Sequence, residues 1–127
     1  MSIAGVKKGC IALSFVVAGF AQSAFAATTS ERIEHDVMYL ISQMEQADCT
    51  FVRNGKTYTN LEVAEHLLNK WDYAKDDIES TTMFIDEVAS KSWFTGKAYK
   101  VKCGGDEITS KVWLTEKLAD KTPVEQD

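Results

Sequence analysis

The chain has 127 residues, with 14 lysines and arginines against 19 aspartates and glutamates, and a net charge of -5 at neutral pH. This acidic balance argues against nucleic acid and anionic membranes as partners, because both attract cationic protein surfaces. The length predicts one domain with a small hydrophobic core.

The first 26 residues have the pattern of a cleavable export signal. Lys7 and Lys8 form its positive start, residues 11–20 form an apolar run, and the Ala-Phe-Ala at 24–26 suits a signal peptidase. The apolar run is shorter than the roughly 20 residues of a membrane-spanning helix. We therefore predict a periplasmic protein with no membrane anchor after cleavage.

The predicted mature chain consists of one domain at 27–120 and a polar tail at 121–127. Cys49 and Cys103 are its two cysteines. In an oxidising compartment an even count favours a disulfide, with a reduced buried pair or a redox role as alternatives. A catalytic thiol role is disfavoured because no Cys-x-x-Cys spacing occurs.

The first half of this domain predicts a helix, a hairpin and a second helix. Residues 30–47 carry apolar side chains at spacings of three and four, which indicates one buried helical stripe. The Asn-Gly pair at 54–55 predicts a tight hairpin, because both turn residues need positive φ. Thr59 and Glu62 form a capping box before a helix with an apolar stripe over 61–78.

The second half predicts a shorter helix, another hairpin and a last helix. Thr81 or Thr82 caps the third helix, which ends before Gly96. Residues 98–102 alternate as in a strand, a Gly-Gly turn follows, and Ser110 caps the last helix. Helices segregated from hairpins indicate an α+β fold, with about four helices packed on a small antiparallel sheet that one disulfide staples.

Three tryptophans have different predicted environments. Trp71 falls on the apolar stripe of the second helix, which predicts core packing. We expect core packing for Trp93 and Trp113 as well. An exposed pair of Trp93 and Phe94, serving as an interface anchor, is the alternative.

Catalytic and metal-binding patterns are weak in this sequence. His35 and His66 each follow a glutamate by four residues, but two ligands fall short of the three or four that zinc usually takes. No Gly-x-Ser-x-Gly elbow occurs, so a hydrolase would have to assemble Ser90, Ser92 and His66 in space. We expect a protein without a metal, a cofactor or an enzymatic activity.

Four segments together resemble a known family. The stretch Cys-Thr-Phe-Val-Arg-Asn-Gly at 49–55 is followed by Ala-Glu-His-Leu-Leu-Asn-Lys at 64–70 and by the segments 84–92 and 95–99. These motifs resemble the YfeK-like family of small exported bacterial proteins, over about 31–118. The family has no known function. Its matching polar positions imply a candidate binding surface formed by Arg53, His66, Lys70, Ser90, Ser92 and Tyr99.

We expect a soluble protein that uses this surface to bind a partner protein or a small ligand in the envelope. If His66 and Lys70 face the segment with Ser90 and Tyr99, the pocket between them is the best candidate site. The structural alternative is that His66 bonds to the hairpin backbone and leaves no cavity. The alternative function is inhibition of a cationic envelope enzyme by an acidic surface that speeds association.

Cleavage of the export signal is directly testable. Because residues 24–26 suit a signal peptidase, protein recovered from the envelope should have the intact mass of a chain that starts at Ala27. The measurement is mass spectrometry of the periplasmic fraction, and an uncleaved chain in the inner membrane would contradict the prediction.

Overall fold

The computed structural model describes residues 28–121. The predicted export signal and nearly all of the predicted tail lie outside this part of the chain. The helices and strands follow in the order α1 (Thr29–Gln46), β1 (Thr50–Arg53), β2 (Lys56–Tyr58), α2 (Asn60–Ala74), α3 (Thr81–Met83, continued by π-helical turns over Phe84–Ala89), β3 (Lys100–Cys103), β4 (Asp106–Thr109) and α4 (Ser110–Ala119). A 3-10 turn over Lys75–Asp77 follows α2. The predicted order and the α+β class are confirmed.

The four strands form one antiparallel sheet in the order β2-β1-β3-β4. The two hairpins therefore meet through β1 and β3, where Phe51 pairs with Val101. Asn54 and Gly55 have φ values of 50° and 81°, the positive-φ pair that the tight β1–β2 turn requires. The predicted hairpin at this position is confirmed.

A disulfide between Cys49 and Cys103 joins the two hairpins. The two Cα atoms lie 4.5 Å apart, next to the paired residues Thr50 and Lys102. The bridge closes a sequence separation of 54 residues. It therefore locks the central strand pair of the sheet, as the cysteine pattern predicts.

The helices cover one face of the sheet. Phe51 and Val101 are buried on that face, whereas Lys100 and Lys102 on the opposite face are exposed. The edge of the Phe51 ring meets the Trp113 ring of α4 with the centroids 5.8 Å apart. Residues two apart in a strand share a face, so Arg53 and Tyr99 also point to the helical side. This alternation brings both side chains to the candidate site.

A single cluster of buried apolar side chains lies between the helices and the sheet. The helix α1 packs against α2, and the π-helical turns after α3 pack against both α2 and α4. Trp71 and Phe84 meet edge to face at 5.6 Å between the ring centroids. The predicted core position of Trp71 is confirmed.

Three details of the helices differ from the sequence predictions. Ser80 caps α3 instead of Thr81 or Thr82, and Thr109 caps α4 instead of Ser110, because each cap hydroxyl lies three residues before the amide that it accepts from. The stripe of α2 is also shifted: Leu61 is exposed and Val63 is buried. The capping box of Thr59 and Glu62 is present as predicted.

No helix within residues 28–121 combines the length and the apolar character that crossing a bilayer requires.

Removal of the disulfide should destabilise the fold. The double variant Cys49→Ala/Cys103→Ala loses the constraint that the bridge places on the unfolded chain, so we expect unfolding to cost about 2 to 4 kcal/mol less. Chemical denaturation at neutral pH measures this loss. An equal stability of the oxidised, reduced and double-variant proteins would contradict the prediction.

Candidate functional site

An open cavity of about 430 Å³ lies between the β1–β2 turn, α2 and the segment 90–99. Five of the six residues of the predicted binding surface line its wall: Arg53, His66, Lys70, Ser92 and Tyr99. These residues come from three separate parts of the chain. The cavity is therefore assembled only when the sheet, α2 and the 90–99 loop pack together.

Lys70 is a buried cation in this wall. Only 6% of the residue is exposed, and its ammonium group donates to the carbonyl oxygen of Lys91 at 2.9 Å and to the hydroxyl of Tyr99 at 3.2 Å. The ammonium nitrogen also lies 4.4 Å from the centre of the Trp93 ring. Within residues 28–121 no carboxylate forms an ion pair with it.

Burial lowers the pKa of Lys70 from 10.5 to about 8, with further contributions from the charges of Arg53 and Lys91. The lysine is still charged at neutral pH. Between about pH 8 and 10.5 the unfolded chain holds this proton more readily than the folded chain does. Stability therefore rises with pH in that interval, and below it the buried charge opposes folding.

Arg53 is the second cation of the wall. Its guanidinium carbon lies 4.4 Å from the centre of the Tyr58 ring and 5.8 Å from that of Tyr99. Its Nε atom is shielded from solvent and makes no hydrogen bond within the described chain. A buried donor without an acceptor costs free energy.

His66 contributes a neutral ring. Burial, together with the nearby charges of Arg53 and Lys70, lowers its pKa from 6.5 to about 4. Its Nε2 atom lies 3.4 Å from the hydroxyl oxygen of Tyr99. Because that hydroxyl accepts from Lys70, it can donate its own proton to the unprotonated Nε2. Burial raises the pKa of Tyr99, which keeps the phenol protonated.

The alternative of a histidine bonded to the hairpin backbone with no cavity is wrong. His66 lies one turn before Lys70 on α2, so both side chains project from the same helical face into the cavity. The hydroxyl of Tyr99 joins them. We interpret the three residues as one hydrogen-bonded group at the floor of the site.

Hydrogen bonds tie the 90–99 loop to the β1–β2 turn. The Ser92 hydroxyl accepts from the backbone amides of Phe94 and Thr95 at 3.2 Å each and from the Asn54 amide at 3.3 Å. The Thr95 hydroxyl donates to the side-chain oxygen Oδ1 of Asn54 at 2.7 Å. The predicted site residue Ser92 therefore holds the loop in shape.

Ser90 is the one predicted site residue that does not line the cavity. It is buried, and its carbonyl oxygen accepts from the backbone amide of Tyr99 at 2.9 Å. Its contact with the site runs through this backbone bond. Ser90 thus positions Tyr99 instead of facing a ligand.

The predicted binding surface did not include the other half of the wall: Asn54, Asn69, Tyr73, Trp93 and Phe94. Of these, an exposed pair of Trp93 and Phe94 was the stated alternative to core packing, whereas Asn69 and Tyr73 were missed. The expectation that Trp93 packs in the core is wrong, since it is 49% exposed, while Trp113 is buried as expected. Tyr73 and Phe94 are 83% and 97% exposed. The available signals were a tyrosine on the polar face of α2 and two adjacent aromatic residues just before Gly96.

Within residues 28–121, no group of three or more histidine, cysteine, aspartate or glutamate side chains is arranged to hold a metal ion. The wall residues that the structure describes include no carboxylate. They provide two cations, a neutral imidazole, amides, hydroxyls and aromatic faces. Such a wall can bind a negatively charged group and a flat or apolar one side by side.

Comparison with known proteins identifies the family. The model of a family of unknown function, DUF5329, matches residues 31–122. The chain belongs to this family. The uncharacterised protein YfeK of Salmonella typhimurium is 43% identical over 55 residues, which cover 43% of this chain and 46% of that protein. The match thus spans about half of the curated relative, and it confirms the YfeK-like resemblance. No solved structure matches the chain.

The DUF5329 member should depend on the Tyr99 hydroxyl for stability. Tyr99→Phe keeps the ring but removes an acceptor of the buried Lys70 ammonium, so we expect unfolding to cost about 1 to 3 kcal/mol less. Denaturant unfolding at pH 7 measures the change.

Tyr73→Phe is the matched control, because Tyr73 is exposed and should change stability by less than about 0.5 kcal/mol. Equal effects of the two substitutions would show that the Tyr99 hydroxyl makes no special contribution.

Proposed function

We propose that this protein binds a small anionic ligand in the periplasm, through the cavity between α2 and the sheet, without transforming it. The observation that carries the proposal is the convergence of Arg53 and Lys70 on a wall without a carboxylate. This local positive charge lies in a chain with a net charge of -5. A carboxylate or phosphate group is the chemical complement of the site.

The energetics of the two cations support an anionic ligand. Burial makes the charged form of Lys70 less favourable, and the neighbouring positive charge of Arg53 adds to this effect. An incoming anion would interact favourably with both groups in an environment of low dielectric constant. Because their side chains are already held by Tyr58, Tyr99 and Trp93, binding would require little further ordering.

The contacts of His66 favour binding over hydrolysis. Its Nε2 faces the hydroxyl of Tyr99, whereas the Ser92 hydroxyl accepts two backbone amides of its own loop. A serine nucleophile would need its hydroxyl beside the imidazole ring.

The cavity wall carries two positive charges, whereas inhibition of a cationic enzyme would require an acidic contact surface. The predicted export signal and the disulfide support a periplasmic location.

Benzoate and its neutral analogue benzamide test the proposal. They differ in the carboxylate, so we expect benzoate to bind and to shift the NMR signals of the wall residues, and benzamide to bind much more weakly. Arg53→Gln should weaken benzoate binding by about ten- to a hundredfold, because a charge-assisted hydrogen bond contributes about 1.5 to 3 kcal/mol. Lys100→Gln, on the exposed face of β3, is the matched control and should leave the affinity unchanged.

The pH dependence gives a second readout in the same titration. The pKa of Lys70 is about 8, so benzoate affinity should fall as the pH rises from 7 to 9 and this lysine loses its proton. The ring of His66 is neutral throughout this range because its pKa is about 4. Equal affinity for benzoate and benzamide, or no binding of either, would overturn the proposed function.

A further inference from the structure

Three aromatic side chains stand at the edge of the cavity: Tyr73, Trp93 and Phe94, here called the aromatic rim. Each of them is exposed, and Phe94 is almost completely so. Single exposed apolar residues are ordinary, but a contiguous group that borders a cavity indicates an interaction surface. The rim therefore indicates that the ligand has an apolar surface in addition to the negative charge that the two cations favour.

The 90–99 loop holds this rim in place. Trp93 donates its indole N–H to the carbonyl oxygen of Glu87 at 2.8 Å, and its ring centroid lies 5.8 Å from that of Tyr73. Ser92 closes the loop, because its carbonyl oxygen accepts from Gly96 at 2.9 Å and its amide donates to Lys97 at 3.0 Å. These hydrogen bonds therefore hold the rim side chains at the surface. Gly96 completes the turn with a φ of 76°, which glycine adopts readily.

Amide groups lie on the same wall as the rim and the cations. Asn69 of α2 is exposed and makes no side-chain hydrogen bond within residues 28–121, and Asn54 lines the wall beside Ser92. An amide both donates and accepts hydrogen bonds, as the hydroxyl groups of a sugar do. A purely aromatic acid would make no hydrogen bond to the Asn69 amide through a hydroxyl group, whereas a sugar could.

We propose that the ligand is a carbohydrate that carries a carboxylate group. The C–H face of its pyranose ring stacks on the aromatic rim, its hydroxyl groups bond to Asn69, and its carboxylate lies between Arg53 and Lys70. This inference rests on the proposed function, because it uses the same two cations. It adds the chemical class of the ligand, which the rim and the free amide indicate.

Methyl glucuronide and methyl glucoside are the matched probes, since they differ only in the group at carbon 6. NMR titration of the mature protein should show binding of the glucuronide at the wall residues and much weaker binding of the glucoside. Phe94→Ala and Tyr73→Ala should each weaken glucuronide binding by roughly fivefold, the range of one aromatic contact. Leu61→Ala, an exposed apolar position of α2 outside the cavity wall, is the control and should have no effect.

Asn69→Ala separates the inference from the proposed function. It should weaken glucuronide binding and leave benzoate binding unchanged, because only the sugar offers hydroxyl groups to the amide. Benzoate binding without glucuronide binding would overturn the inference and leave the proposed function standing. No binding of either anion would overturn both.

A second copy of this chain is the alternative occupant of the rim. A sedimentation coefficient that rises with protein concentration, and that Phe94→Ala returns to the monomer value, would overturn the inference in favour of a second copy of this chain. A sedimentation coefficient independent of concentration, together with glucuronide binding, supports the carbohydrate.

Discussion

The pairing of β1 with β3 is the contact on which both the sheet and the cavity depend. Arg53 ends β1, and Tyr99 directly precedes β3, so this one strand pair brings the guanidinium and the phenol to the same side of the sheet. The segments are far apart in sequence, and closing such a loop costs conformational entropy. The disulfide between Cys49 and Cys103 lowers that cost by joining the same two segments in the unfolded chain.

The buried ammonium group of Lys70 in the cavity wall costs stability. Lys70 occupies a buried position of α2, next to Leu67 and Trp71, where an apolar side chain would pack without a desolvation cost. The fold compensates with a carbonyl oxygen, a phenol and aromatic rings around the ammonium group. No carboxylate within residues 28–121 pairs with this ammonium group, so its burial still costs stability, and that cost supports the proposed binding role.

Membership in DUF5329 places this arrangement in a family without an assigned function. The relative from Salmonella typhimurium shares 43% identity over 55 residues and is itself uncharacterised. The proposed function therefore rests on the residues of the cavity wall. This wall contains two cations, the Asn69 amide and the aromatic rim. Substituting each of these groups in turn distinguishes a site for simple anions from a site for an anionic carbohydrate.

The sequence by itself determined the local structure and the fold class, because turns, caps and helical stripes depend on residues that are close in the chain. The Asn54-Gly55 turn and the Thr59 capping box illustrate this, and the resemblance to a family supplied five residues that line the cavity. Only the tertiary structure decided the exposure of Trp93 and the indirect role of Ser90. Both follow from the shape of the 90–99 loop and from its attachment to the β1–β2 turn, where Asn54 donates to Ser92, 38 residues away. Periodicity cannot encode such a contact, since it arises only when β1, α2 and the loop pack together.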